Sequence, residues 1–256
     1  MRIAVAGGTG LVGRYVVDAL GRAGHEPVVL ARACGVDLVS GAGLDDALVG
    51  VGAVIDVGNV TTTRKRPAVA YFTASTTRLL AAGRRAGVGH HVALSIVGVD
   101  RVDFGYYLGK RRQEELVLAA GTPSSVLRAT QFHEFAGQVL DRARGPVAVV
   151  PRMTVQPVAA SEVAEALVAL AAGPAVGMAP ELAGPQREEL VDLARRVQWT
   201  RGGAGGRRQR LLAVRLPGAA GRAMAGGALL PTGPGPRGQQ TFTEWLAAAE
   251  EPPAAA

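Results

Sequence analysis

The stretch Gly7-Gly8-Thr9-Gly10-Leu11-Val12-Gly13 constrains this chain more than any other, because it follows a short apolar run and opens a helical pattern. Ile3–Ala6 reads as a buried parallel strand. Leu11, Val12, Tyr15, Val16, Ala19, Leu20 and Ala23 then recur at helical spacing, and Gly24 closes that helix. In such a strand–turn–helix, Gly7 permits the tight turn and Gly10 lets backbone approach a ligand. Gly13 lets the helix pack closely on the sheet. The amides of Gly10, Leu11 and Val12 face the ligand at the positive helix end, and Thr9 adds a hydroxyl donor. An anionic bridge such as the pyrophosphate of a dinucleotide suits that position.

The rest of the chain repeats the alternation. Strands are expected at Pro27–Ala31, Ala53–Val57, His91–Ser95 and Ser125–Ala129, and helices at Pro67–Ala86 and Tyr106–Ala120. Strands alternating with helices imply right-handed crossovers and an α/β Rossmann fold, a doubly wound parallel sheet covered on both faces. Past about residue 145 the texture changes. Short strands are expected at Val147–Val150 and Val155–Val158, and helices from Ser161 to about Ala172 and over Gln186–Val197. A break at Gly202–Gly206, an Arg-rich strand, a short helix around Glu244–Ala249 and a loose tail at Glu251–Ala256 complete the pattern. The expected division is a dinucleotide-binding domain over 1–150 and a small C-terminal lobe over 151–256 that completes a substrate pocket.

Composition removes several function classes. Of the 28 basic residues only Lys65 and Lys110 are lysines, and the Arg64–Arg66, Lys110–Arg112 and Arg207–Arg210 clusters are scattered. No arginine stripe alternates with stacking aromatics, so the net charge of +7 does not point to nucleic acid. The single Cys34 suits a reducing cytoplasm, and the first strand leaves no room for a signal peptide. The longest uncharged stretch, 166–180, is shorter than the roughly 20 residues of a membrane helix and holds Gly173, Pro174, Gly177 and Pro180. No Cys, His or carboxylate grouping has metal spacing. Leu94-Ser95-Ile96-Val97-Gly98 is not a nucleophile elbow. The partner expected is a small molecule, with a homodimer left open.

The end of the second strand selects the cofactor. An acid there would hold the ribose hydroxyls of NAD, whereas here Leu30-Ala31-Arg32-Ala33 carries none before Asp37. The planar fork of Arg32 suits a 2′-phosphate, with Arg14 to assist, so NADPH is expected in preference to NADH.

Gly7 to Arg14, together with Tyr106-x-x-x-Lys110 after a strand ending in Ser95, resembles the short-chain dehydrogenase/reductase superfamily. The sequence looks closest to its atypical and extended branch of NmrA-like and isoflavone-reductase-like proteins. Residues 94–100 and 127–133 are similar to bacterial NAD(P)-dependent oxidoreductases, and the resemblance covers about residues 2–200. It implies that Asp37 and Leu38 contact adenine and that Val57, Gly58 and Asn59 pass the nicotinamide ribose. Gln131, Phe132 and His133 would lie beside nicotinamide and substrate.

It also implies a catalytic set of Ser95, Tyr106 and Lys110. Tyr106 and Lys110 are one helical turn apart on one face. A free tyrosine titrates near ~10, and a nearby ammonium would lower that value. Lys110 would also bind ribose, and Ser95 would hold the substrate carbonyl. Ser95 precedes Tyr106 by a shorter interval than the superfamily's usual one, and Tyr107 competes for the same role. The expected activity is NADPH-dependent reduction of a small, apolar carbonyl or conjugated substrate. The alternatives are a non-catalytic redox-sensing regulatory protein and an epimerase or dehydratase of the same superfamily.

Overall fold

The computed structural model describes residues 1–143, 145–202 and 209–248. The chain runs through β1 (Arg2–Ala6), α1 (Leu11–Arg22), β2 (Glu26–Leu30), a 3₁₀ turn at Arg32–Cys34 and α2 (Leu44–Ala47). It continues through β3 (Ala53–Asp56), α3 (Lys65–Ala86), β4 (His90–Ile96), α4 (Gly105–Leu118), β5 (Ser124–Ala129) and α5 (Phe135–Asp141). Next come β6 (Val147–Pro151), β7 (Thr154–Val155), α6 (Ala160–Ala172), β8 (Gly177–Met178) and β9 (Glu188–Glu189). The last elements are α7 (Leu190–Gly202), β10 (Arg210–Val214), α8 (Gly218–Ala225) and α9 (Phe242–Ala248). Helix α3 starts two residues before the expected Pro67, because proline is tolerated in a first turn whose amides lack partners anyway. It stops at Gly87, whose φ of 73° lets Val88 N–H reach Gly83 O at 2.8 Å.

Two compact units emerge, the first made of 1–129 and 160–180, the second of 130–159 and the described residues from Glu181 on. This differs from the expected boundary at residue 150. Helix α6 buries Val163, Ala164, Leu167, Val168 and Ala171 in the first unit, where it packs with α1 over β3, β4 and β5. A two-residue strand such as β8 leaves no periodic signal, so the return of the chain to the first unit is invisible in the pattern.

In the first unit six strands form a sheet in the order β2-β1-β3-β4-β5-β8, all parallel. The order reverses between β1 and β3, and open sheets of this kind bind ligands at the carboxyl ends of such a switch point. Ala4, Ala6 and Val54 pack with Leu79 and Ala82 of α3, and Ala93 and Val126 pack with Val117 of α4. Helices α3 and α4 thus cover the sheet face opposite α1 and α6. Residues paired in register share a face. Asp56 with Ala93, and Ser95 with Arg128, therefore look toward α4. Arg128 confirms the direction by pairing with Glu114 of α4 at 2.7 Å. A surface hollow of about 420 Å³ between α1 and α6, lined by Arg22, His25 and Glu165, lies at the far end of α1 from the glycine loop.

The second unit contains the parallel pair β6–β10 and the antiparallel pair β7–β9. A capping box starts α9: Thr241 N–H donates to Glu244 Oε2 at 2.8 Å and Glu244 N–H to Thr241 Oγ1 at 3.2 Å. The expected helix at Glu244–Ala249 therefore begins two residues early, with Ala249 outside the described residues. The expected break at 203–206, Arg207–Arg208 and the tail at 251–256 also lie outside them. The short helices α2, α5 and α8 arise where the sequence shows no helical period, as one or two turns give too few repeats to register.

Two stability effects follow from the first unit. A Cβ on Gly109 would sit 2.7 Å from Phe72 Cδ2 and 2.9 Å from Ala68 O, so α3 and α4 touch only because that side chain is missing. Gly109→Ala should cost about 1–3 kcal/mol through overpacking, read by urea unfolding. His91 is buried at 2% exposure, and desolvation holds its pKa below the ordinary value against the pull of Asp56. His90 is lowered by burial too, and its Nε2 lies 2.9 Å from Ser125 Oγ. With folded values depressed, the unfolded chain binds more protons in acid, so stability should fall as pH drops through ~6.5. Urea midpoints from about pH 7.5 to about pH 5.5 should show that fall, and His91→Gln should lessen it.

Candidate functional site

At the end of β1 the chain turns through Gly7, with φ 79°, and Gly7 N–H donates to Leu30 O at 3.0 Å. A Cβ there would meet Val57 O at 3.0 Å and Gly58 N at 3.1 Å, so the turns after β1 and β3 lie backbone to backbone. A Cβ on Gly13 would run into the Gly7 carbonyl and sit 2.7 Å from Gly8 Cα. Arg14 N–H makes the first bond of α1, to Gly10 O at 3.1 Å, and the first turn carries neither an acid nor a side-chain cap. The amides of Leu11, Val12 and Gly13 are therefore open, with Thr9 and Gly10 exposed beside them. A cradle free of side chains, set against an uncapped helix start, fits an anionic pyrophosphate.

Around this cradle lie the other expected nucleotide contacts. Arg32 is exposed at the start of the 3₁₀ turn after β2. Asp37 Oδ1 accepts Val39 N–H at 2.7 Å and Ser40 N–H at 2.9 Å, and these bonds, with Arg32 nearby, hold its carboxyl below the usual range. Asp37 thus caps its own turn. Leu38 is half-buried, with Cδ1 3.5 Å from where a Cβ on Gly58 would be. Tyr71 reaches the same point with its hydroxyl, and burial pushes its pKa up to about 12. Tyr71 is a site residue the sequence did not reveal, because an aromatic inside a helical pattern reads as core.

The Ser95, Tyr106 and Lys110 set is only partly assembled. Tyr106 Oη donates to Asn59 Oδ1 at 2.7 Å, which places its hydroxyl at the turn after β3. Its ring packs edge-on against Phe72 and Tyr107, and burial drives its pKa well above the ordinary tyrosine value. Tyr107 is likewise raised by burial, to about 12. The ammonium expected to lower Tyr106 points elsewhere. Lys110 Nζ donates to Leu94 O and Gln113 Oε1, both at 2.8 Å, and lies over the Phe72 ring at 4.7 Å. Burial brings its pKa down to about 8, opposed by Asp56 and Glu114. Ser95 sits at 3% exposure on the α4 face, its hydroxyl buried without a partner. The set therefore contains a neutral phenol, an unused hydroxyl and an engaged lysine.

Gln131, Phe132 and His133 belong to the second unit. Both ends of the Gln131 amide are buried without partners, and Phe132 bridges to Val158. His133 is fully buried, its Nε2 3.1 Å from Gln240 O and its ring against Phe242 and Trp245. That packing is the surrounding of a structural histidine. Among the described residues no group of three or more His, Cys, Asp or Glu could hold a metal, and no helix is long and apolar enough to cross a membrane.

Residues 3–99 match the model of the NAD dependent epimerase/dehydratase family. A relative from Streptomyces griseus subsp. griseus, (4-alkanoyl-5-oxo-2,5-dihydrofuran-3-yl)methyl phosphate reductase, is 34% identical over 144 residues. That match covers 51% of this chain and 48% of the relative, so the chain spans about half the length of the protein it matches. MoeE5, solved with UDP-glucose and NAD, superposes with TM-score 0.70 at 18% identity, covering 96% of each chain. An NADPH-dependent quinone oxidoreductase from Escherichia coli gives TM-score 0.65 at 17% identity, covering 97% of this chain and 100% of that one. Triphenylmethane reductase from Citrobacter sp., complexed with NADP(H), gives 0.66 at 18%, covering 91% and 93%. At such identities the structures speak for the fold alone. That fold, together with the match over residues 3–99, agrees with the Rossmann-type architecture expected from the resemblance to the extended short-chain dehydrogenase/reductase type.

Proposed function

We propose that the chain is an NADPH-dependent reductase of a small, apolar carbonyl or conjugated substrate. The observation that carries this reading is the Tyr106 hydroxyl bonded to Asn59, beside the side-chain-free cradle formed by Gly7, Gly10 and Gly13. The open amides of Leu11, Val12 and Gly13, with Thr9, would hold the pyrophosphate, and Arg32 would meet the 2′-phosphate. When bound, the nicotinamide supplies the hydride. Tyr106, kept neutral by burial, is suited to give a proton rather than to take one. The Ser95 hydroxyl has no partner but is buried, so it would serve a developing oxyanion only if substrate binding uncovered it. The relative of named activity is a reductase, and two of the neighbours reduce organic acceptors according to their names, which supports reduction over epimerisation.

One observation favours a second reading. Lys110 is engaged by Leu94 and Gln113 instead of facing Tyr106, as suits a dinucleotide-binding regulatory protein that does no chemistry.

Calorimetric titration should show tighter binding of NADPH than of NADH, and Arg32→Ala should erode the difference. Equal affinities in the unaltered protein would remove the NADPH assignment. Gly13→Val should abolish binding while leaving the circular dichroism spectrum largely native, since its clash is confined to the Gly7–Gly8 turn. Turnover separates the two readings. In a screen of NADPH consumption against a carbonyl panel, Tyr106→Phe should lower the rate about 10²–10⁴-fold with NADPH binding retained, and Tyr107→Phe should not. Full activity in Tyr106→Phe would leave the regulatory reading ahead.

A further inference from the structure

Between α4 and the end of β3 a buried polar line runs from Lys110 to two residues, Gln113 and Asp56, to which no role at the site is expected. Asp56, Lys110 and Gln113 are exposed by only 2%, 4% and 1%. Lys110 Nζ donates to Gln113 Oε1 at 2.8 Å, and Gln113 Nε2 donates to Asp56 Oδ2 at 2.8 Å. The other carboxylate oxygen, Asp56 Oδ1, accepts Gly58 N–H at 2.9 Å. Gln113 thus stands between the Lys110 ammonium and the Asp56 carboxylate. A neutral amide is suited to the gap, since one end accepts from an ammonium while the other donates to a carboxylate. A buried charge left without a partner is costly, so each member of this line depends on the next.

The line has a geometric consequence at the site. Helix α4 touches the turn after β3 at two points. Tyr106, in the first turn of the helix, bonds Asn59, and Gln113, two turns on, bonds Asp56. Asp56 in turn fixes Gly58, the residue before Asn59, and Asn59 Oδ1 is itself held by Val60 N–H at 2.8 Å. With both points made, the bonds at Asp56 and Val60 restrain the Asn59 oxygen that accepts from the Tyr106 hydroxyl.

We propose that Gln113 is a positioning residue: by joining Lys110 to Asp56 it holds the Gly58–Asn59 turn that aims the Tyr106 hydroxyl. The inference rests on the reading of Tyr106 as proton donor and extends it to residues that touch neither substrate nor cofactor. It also gives Lys110 a role that does not require its ammonium to reach Tyr106.

The test exchanges the charge along the line. Gln113→Glu opposes two carboxylates, and Asp56→Asn opposes two amide donors if Gly58 keeps its acceptor. The Asp56→Asn/Gln113→Glu double variant restores every bond, with Lys110 donating to Glu, the new Asn donating to the same Glu, and Gly58 N–H donating to the Asn oxygen. Gln113→Met, which keeps the length and drops both bonds, is a further single variant should one of the others fail to fold. The protein would carry 3-fluorotyrosine, and the Tyr106 fluorine resonance would be assigned by its loss in Tyr106→Phe. The folded single variants should displace that resonance beyond its linewidth, and the double variant should return it. NADPH affinity, followed in parallel, should fall at least tenfold in the single variants and recover in the double. Lower unfolding midpoints with an unmoved Tyr106 resonance would overturn the proposal and leave Gln113 a purely structural residue. A double variant that fails to return the resonance would overturn it as well. Absence of NADPH binding in the unaltered protein would instead count against the functional reading, because the resonance is read without ligand.

Discussion

The close approach of Gly13 to the Gly7 carbonyl sets the geometry at the glycine-loop end of the first unit. With a side chain at residue 13, α1 would have to back away from β1, and its first amides would no longer look over the turn. With a side chain at residue 7, the turn would collide with Val57 and Gly58, and β1 could not lie beside β3 with both turns closed. The strand-order reversal between β1 and β3 opens the crevice there. The two glycines keep it lined by backbone. What an anion placed there would meet is a row of N–H groups at a helix start, whose dipoles cost nothing to reorganise.

The second organising contact is polar. Carrying Asp56, His91 and Ser95 on the face of a buried sheet is expensive, and the structure meets the cost unevenly. Asp56 is fully bonded, through Gly58 and Gln113, whereas Ser95 Oγ and His91 Nε2 lack partners. Arg128, in register with Ser95, is committed to Glu114 and Asp100, the latter at 3.2 Å. Its charge is therefore engaged on the same sheet face as the unpartnered Ser95 hydroxyl. An unsatisfied hydroxyl at the carboxyl end of a parallel strand is a tolerated loss of stability of the kind found at binding sites.

Lysine 110 illustrates the limit of reading chemistry from spacing. An i, i+4 interval places two side chains on one helix face, but a four-carbon stem can carry its ammonium several ångströms either way. Its direction is set by acceptors remote in sequence, Leu94 O on the neighbouring strand and Gln113 held by Asp56. Tyr106 shows the converse. A phenol fixed by Asn59 and packed between Phe72 and Tyr107 is raised by burial instead of lowered by a cation, and no local pattern announces that balance.

By itself the sequence determined the elements that repeat: the strand, glycine turn and helix at residues 3–22, the later strand–helix alternation, and hence a parallel sheet with its cradle at the end of β1. These are local or periodic properties, set by where glycine is required and where apolar residues recur, so neighbours along the chain suffice to show them. The tertiary structure alone decided which unit Ala160–Pro180 joins, because β8 is two residues long and α6 could cover either unit as well by its own pattern. It also decided the partners of Lys110, Tyr106 and Asp37, the packing of His133, and where Tyr71 and Gln113 lie. Each of those depends on burial and on hydrogen-bond partners brought together by the fold, and neither quantity exists until the layers have packed.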